Sequence, residues 1–151
     1  MKCETPGSIR TGLSFPRPAV RLRRDHFEKE EAMKYMLLIH QGDTPTPYSP
    51  EEWGRLSEDE QKAVYTAYQE INQTPGVSPG VQMQPPETAT TVRVHDGKTL
   101  TTDGPFVAVK EALGGYFFFE ADDLDAAIEL GSRVPAARMG GAVEVRPLAE
   151  Y

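Results

Sequence analysis

The feature that most constrains the fold is a run of four aromatic residues, Tyr116 to Phe119, within the short apolar segment Gly115 to Glu120. A short apolar run of this length is typical of a strand buried on both faces. Successive side chains of a strand point to opposite faces, so Tyr116 and Phe118 share one face and Phe117 and Phe119 share the other. Both faces are therefore strongly apolar. We expect this strand to be fully buried and central in its sheet.

A second apolar run, Tyr35 to His40, predicts another buried strand that ends at His40. Further along the chain, Ser57 and Glu60 form a capping-box pattern, which predicts a helix from about 58 to 73. The helix would bury a stripe made by Val64, Tyr68 and Ile71.

A second main helix is predicted after Asp122 and Asp123, which suit its N-terminus, with Leu124, Ala127 and Ile128 on its inner face. The last strand would hold Val143 and Val145, alternating with Glu144 and Arg146.

The segment between the two helices has shorter strand patterns. Gly80 to Gln84 predicts a weak strand, and Thr90 to His95 predicts a better one with Val92 and Val94 on one face. Asp96-Gly97 is a strong hairpin signal, so Leu100 to Thr102 should return antiparallel to the preceding strand.

The predicted order of elements is strand, helix, three strands, helix, strand. This order favours an α+β fold of the ferredoxin-like sandwich type, a mainly antiparallel sheet with two main helices on one face. The other sheet face would stay bare and would carry Tyr116 and Phe118. An exposed aromatic face promotes aggregation, so we expect a homodimer packed sheet to sheet.

Charge and composition limit the classes of partner. The 151 residues carry a net charge of -7, which disfavours nucleic acid and anionic membranes as partners. No apolar run approaches the roughly 18 residues of a membrane span. The single cysteine, Cys3, cannot form an internal disulfide, which suits a cytoplasmic protein.

The first 32 residues differ from the rest. They hold 7 basic and 5 acidic residues, whereas residues 33–151 hold 9 and 18, so the net charges are +2 and -9. Several prolines and glycines break any periodicity in residues 1–32, which predicts a disordered tail. Our preferred interpretation is that Met33 is the natural start, because Glu28 to Glu31 is what a purine-rich ribosome-binding site would encode if translated in frame. The predicted domain is therefore 33–151.

Several motifs together resemble the DGPF branch of the YCII-related proteins. The resemblance covers about residues 33–148 and is carried by Met33 to Ile39, Ala89 to Arg93, Thr102-Asp103-Gly104-Pro105-Phe106, Lys110-Glu111, Leu113 to Tyr116, Pro135 to Arg138 and Val143 to Pro147.

This resemblance implies a dimeric α+β barrel and a small cytoplasmic bacterial protein. Such proteins are often encoded beside extracytoplasmic-function sigma factors. The resemblance also implies an active site built on a His and an Asp, without a settled substrate.

Asp103 and His40 are the candidate catalytic residues. Asp103, before Gly104 and Pro105, could act as a general acid or base, or it could instead cap a turn through its own backbone. His40, at a strand end, could be the proton-transfer partner, or an ordinary histidine at a loop edge.

Five further residues are candidates for substrate binding. Arg93 and Arg146 could bind a carboxylate through paired hydrogen bonds, or serve as ion-pair partners. Lys110 and Glu111 could line a pocket or form a surface pair, and Tyr116 could contact the ligand or belong to the dimer interface.

Two functions remain open. The first is a cofactor-free enzyme that acts on a small anionic metabolite, with Asp103 and His40 transferring a proton. The second is a non-catalytic ligand-binding or regulatory dimer linked to sigma-factor stress signalling. The sequence predicts no metal site and no cofactor, because the three histidines are widely spaced and no phosphate-binding loop is present.

Overall fold

The computed structural model of the chain describes residues 32–150, so the predictions about the tail fall almost wholly outside the described residues. The fold is α+β, with six strands and three helices in the described part. The elements are β1 (Met33–His40), α1 (Pro50–Trp53), α2 (Glu58–Asn72), β2 (Val81–Gln82), β3 (Thr90–His95), β4 (Lys98–Asp103), β5 (Leu113–Ala121), α3 (Leu124–Arg133) and β6 (Ala142–Pro147).

Four of the strands form one antiparallel sheet in the order β2-β5-β1-β6. This is the strand order of a ferredoxin-like sandwich, and α2 and α3 pack on the same face of the sheet. The predicted fold class is therefore confirmed. No helix in residues 32–150 has the length and apolar composition needed to cross a membrane.

The core lies between the sheet and the two long helices. Leu37 of β1, Ile71 of α2 and Val134 after α3 are its largest fully buried side chains. Burial of a side chain of this size contributes about 1.5–3 kcal/mol, so these three contacts are central to holding the helices on the sheet.

The helix starts follow the sequence. The Ser57 hydroxyl accepts a hydrogen bond from the Glu60 amide, and the Glu60 carboxylate accepts one from the Ser57 amide, which completes the predicted capping box. Because the Ser57 amide donates to it, the pKa of the Glu60 carboxyl lies below its usual value. Asp123 caps α3 by accepting from the Ala126 amide.

The predicted inner face of α3 was partly wrong. Leu124 and Ile128 are 48% and 50% exposed, whereas Ala127, Leu130 and Gly131 are buried. A side chain added at Gly131 would lie 3.5 Å from a methyl of Val145, so small residues let the helix approach β6 closely. The buried side of α3 is therefore the side that carries Ala127 and Gly131, and not the side that carries Leu124 and Ile128.

The central position of β5 is confirmed, but its complete burial is not found within one chain. Phe117 and Phe119 are buried under the helices, whereas Phe118 on the opposite face is 41% exposed. We call this second face, lined by Met36, Leu38, Tyr116 and Phe118, the open face; the pairing of β1 with β5 places these four side chains together. It is the second face that the sequence predicts, and within one chain Phe118 is its exposed residue whereas Leu38 is 8% exposed.

The remaining strands, β3 and β4, form a separate two-stranded sheet. The Asp96-Gly97 turn has positive φ angles of 49° and 72° at its two central residues, which is the hairpin turn predicted from the sequence. The hairpin is thus an insertion between the second and third strands of the main sheet. The weak strand before it shrinks to two residues at the sheet edge, Val81–Gln82.

Candidate functional site

A cleft of about 220 Å³ opens between the sheet, α2 and the loop that follows β1. We call it the aromatic cleft. Its floor includes Phe117 of β5, and its walls include Tyr65 and Tyr68 of α2 and Trp53 at the end of α1. A concave, largely apolar cavity with a few polar groups is the usual form of a small-molecule site.

The aromatic rings are held in place by each other. The Trp53 and Tyr65 rings meet edge to face with centroids 5.6 Å apart, and the Tyr68 ring stacks on Phe117 at 6.4 Å. Burial raises the pKa of the Tyr68 phenol, so its hydroxyl stays neutral at physiological pH. The walls are thus preformed and uncharged.

Three amide side chains, those of Gln41, Asn72 and Gln82, supply polar groups in the cleft. The side-chain carbonyl oxygen of Asn72 accepts a hydrogen bond from the Gly80 amide at 2.8 Å, so the side-chain nitrogen of Asn72 points away from Gly80. The Gln41 side chain lies against the backbone of Gly114, where a β-carbon would collide with it. Among the described residues that line the cleft, none is Asp, Glu, Lys, Arg or His.

Thr44 is the one buried side chain in residues 32–150 whose polar atom lacks a hydrogen-bond partner there. The residue is 6% exposed and lines the aromatic cleft. Its loop is fixed by bonds from the Thr44 amide to the Gln41 carbonyl (3.0 Å) and from the Asp43 amide to the Gly140 carbonyl (3.2 Å). A buried hydroxyl without a partner carries an uncompensated desolvation cost, so we expect Thr44 to lower the stability of the fold.

A second cleft of about 240 Å³ adjoins the first and shares Gln41, Thr44 and Gly114 with it. This rim cleft carries the charged residues Asp43, Glu52, Glu87 and Lys110. The Lys110 ammonium lies 2.7 Å from an Asp43 oxygen, and this contact raises the pKa of Lys110. The one cation among the described residues of the rim cleft is therefore already paired.

The His40 ring is oriented by a backbone contact. Its Nδ1 lies 2.9 Å from the Glu111 carbonyl oxygen, and because a carbonyl can only accept, Nδ1 carries the proton. Its Nε2 lies 3.4 Å from a Glu144 carboxylate oxygen. The other Glu144 oxygen accepts from the Arg146 Nε at 2.8 Å, and this bond, more than the His40 contact, lowers the pKa of Glu144.

The predicted site residues fall into three places. His40, Arg146 and Tyr116 belong to the open-face side of the main sheet, and the Glu111 carbonyl joins His40 there. Lys110 lies in the rim cleft, whereas Arg93 and Asp103 lie on the exposed hairpin. The Tyr116 ring packs edge to face on Phe118 with centroids 5.6 Å apart.

The structure does not join Asp103 to His40 within one chain. Neither residue lines the aromatic cleft or the rim cleft. Asp103 lies opposite Thr90 at the base of the hairpin, and the turn after it is held by the Gly104 amide, which donates to the Ala89 carbonyl at 2.7 Å. A joint role for the two residues therefore stays a prediction.

Sequence reasoning missed several residues that build the clefts and the His40 contact. They are Gln41, Thr44, Tyr65, Asn72 and Glu144. One signal was available: the residues after β1 contain two prolines and two threonines, and a long, ordered loop of this kind often forms a binding wall. The other positions are on α2 and β6, where no local pattern separates a cleft wall from a solvated surface.

Comparison with known proteins agrees with the motifs. The family model for the YCII-related domain matches residues 33–151. An uncharacterized protein of Rhizobium meliloti (strain 1021) is 33% identical over 121 residues, which cover 79% of this chain and 94% of the relative. The chain belongs to the YCII-related family.

Proposed function

We propose that this YCII-related domain binds a small uncharged molecule with an aromatic or other flat apolar body. The observation that carries the proposal is the aromatic cleft, a preformed cavity with aromatic walls, three amide side chains and no charged lining residue among those described. A ring would pack against Tyr65 and Trp53. Its polar end would meet the amide groups of Gln41 and Asn72.

The absence of charge from the described lining decides the ligand class. An ionised group placed in an apolar cavity without a partner carries a large desolvation cost, so an anion needs a cation nearby. Arg93 lies on the hairpin, Arg146 already binds Glu144, and Lys110 already binds Asp43. These placements favour an uncharged ligand over the anionic metabolite that the sequence predicts.

Three isosteric probes test this ligand class: benzamide, benzoate and benzamidinium, which share one shape and carry charges of 0, -1 and +1. Trp53 is the only tryptophan and lines the cleft, so its fluorescence reports binding. We expect benzamide to bind at least about fivefold more tightly than benzoate, equivalent to about 1 kcal/mol. Tighter binding of benzoate would overturn the uncharged-ligand proposal and restore the anionic one.

A matched pair of variants on α2 separates cleft binding from binding elsewhere. Val64→Phe places extra volume in the cleft, and Ala63→Phe adds the same ring on the exposed side of the helix. The first variant should abolish the benzamide signal and the second should keep it. Equal signals from both variants would show that the probe binds outside the cleft.

A second candidate is a cofactor-free enzyme in which His40 and Asp103 transfer a proton. The orientation of the His40 ring by the Glu111 carbonyl and Glu144 supports it, because a fixed ring orientation is typical of histidines that move protons. An enzyme converts the retained ligand, whereas a regulatory protein linked to sigma-factor signalling returns it unchanged. If His40→Gln and Asp103→Asn both keep full conversion, neither residue takes part.

We further propose that a second copy of the chain covers the open face. Support comes from the 41% exposure of Phe118 and from charged residues that surround it, such as Lys34 paired with Glu120 at 3.5 Å. An apolar centre with a charged rim is the usual plan of a protein interface. Light scattering should give a dimer mass for the natural chain and a monomer mass for Phe118→Lys. A monomeric natural chain at high concentration would refute the dimer.

A further inference from the structure

The hairpin of β3 and β4, which we call the arm, is poorly supported by its own chain. It pairs with no other strand among residues 32–150, and each of its strand residues except Thr91 is exposed. An isolated two-stranded hairpin is marginally stable in water at best. A regular hairpin of six residue pairs therefore needs a surface to pack on.

The arm has one apolar face and one basic face. The pairing register places Val92 and Val94, which are 60% and 69% exposed, on the same face as Thr99 and Thr101. The opposite face carries Arg93, His95 and Lys98 together with the apolar Leu100, while Asp103 lies opposite Thr90 at the base of the Val92 face. One surface of the arm is thus suited to burial, and the other to solvent or to acidic groups.

The loop after the arm also exposes apolar residues. Phe106, in the Asp-Gly-Pro-Phe motif, is 78% exposed, and Val107 and Val109 are 46% and 49% exposed. Exposed apolar residues gathered in one stretch of chain mark an interaction surface. The Asp-Gly-Pro-Phe motif therefore lies in a stretch of exposed apolar residues, of which Val109 also lines the rim cleft.

We propose that the arm packs its Val92 and Val94 face against a second copy of the chain and completes the dimer interface. The argument is area. Four strands spaced about 4.8 Å apart and about six residues long cover roughly 400 Å², whereas a stable interface of standard size buries about 800 Å² per partner. The open face alone is thus too small. The Val92 and Val94 face of a six-pair arm adds roughly 200 Å², which brings each partner to roughly 600 Å² and above the roughly 500 Å² per partner that a specific interface needs.

Substitutions on the two faces of the arm test the proposal. Val94→Lys adds a charge to the apolar face, and Thr102→Lys adds the same charge to the basic face. By sedimentation, Val94→Lys should weaken the dimer about 100-fold, since each of two arms loses an apolar contact worth about tenfold. Thr102→Lys should leave the dimer intact.

The outcomes separate this proposal from the dimer on which it rests. A dimer that survives Val94→Lys but is lost in Phe118→Lys refutes the arm contact and keeps the open-face interface. A natural chain that is monomeric refutes both. If Val94→Lys fails to fold, a photo-reactive residue at position 94 tests the arm contact instead. It is placed in a mixture of unlabelled (light) and isotope-labelled (heavy) chains. Light-to-heavy cross-links support the arm contact, and cross-links only within one chain overturn it.

Discussion

Replacing Thr44 with valine should make the domain more stable. The Thr44 hydroxyl is buried and has no hydrogen-bond partner among the described residues, so its desolvation is uncompensated. An unsatisfied buried polar group costs about 1–3 kcal/mol, and valine has nearly the same shape without the polar atom. We therefore expect a gain of about 1–2 kcal/mol in the free energy of unfolding, against the usual direction of core substitutions.

Urea unfolding followed by circular dichroism measures this gain. With a denaturant slope of about 1.5 kcal/mol/M, typical of small domains, the midpoint should rise by about 0.7–1.3 M. Thr91→Val is the control, because the Thr91 hydroxyl donates to the Gly104 carbonyl at 2.8 Å. Its loss should lower stability by about 1 kcal/mol.

A fall in stability of Thr44→Val would refute the reasoning, since it would mean that the hydroxyl is satisfied in solution. A gain in stability together with weaker benzamide binding would show that Thr44 is retained for the ligand. Stability given up at a binding site for function is a common trade-off.

Three further changes have defined outcomes. Leu37→Ala removes a fully buried side chain and should lower the free energy of unfolding by about 3 kcal/mol in urea titrations. Glu60→Ala should destabilise the domain at neutral pH. Because the pKa of Glu60 is lower in the folded state, the ionised carboxylate stabilises the fold above the unfolded pKa, and this stabilisation is lost as pH falls through the folded pKa. The difference in thermal midpoint between Glu60→Ala and the natural chain should therefore vanish at low pH. Gly141→Ala places a β-carbon 2.7 Å from the Gln41 carbonyl oxygen, so thermal melts should show a lower midpoint and the benzamide signal should weaken as the loop shifts.

The sequence predicted those parts of the fold that depend on local patterns. The capping box at Ser57, the cap at Asp123 and the turn at Asp96-Gly97 are all present, because each is specified by neighbouring residues. The predicted inner face of α3 was right at Ala127 and wrong at Leu124 and Ile128, because which side of a helix is buried depends on the surface it packs on. Gly131 sits over Val145, a contact that the pattern within the helix does not contain.

The site was harder to predict because it is assembled from distant segments. Trp53, Tyr68 and Phe117 come from α1, α2 and β5, and only the packing of α2 on the sheet joins them into one cleft. The contact between His40 and Glu144 likewise arises from the pairing of β1 with β6. Motif reasoning directed attention to Asp103, which the fold places on the arm.

Nuclear magnetic resonance mapping of benzamide on isotope-labelled protein tests the central claim most directly. The indole NH of Trp53, the side-chain amide of Asn72 and the backbone amide of Gly115 all belong to cleft residues. We predict that these three signals shift in a saturable way and that Phe118 and Val94 amides do not. Shifts confined to the open face or the arm, or no saturable shift at all, would contradict a ligand-binding function for the aromatic cleft.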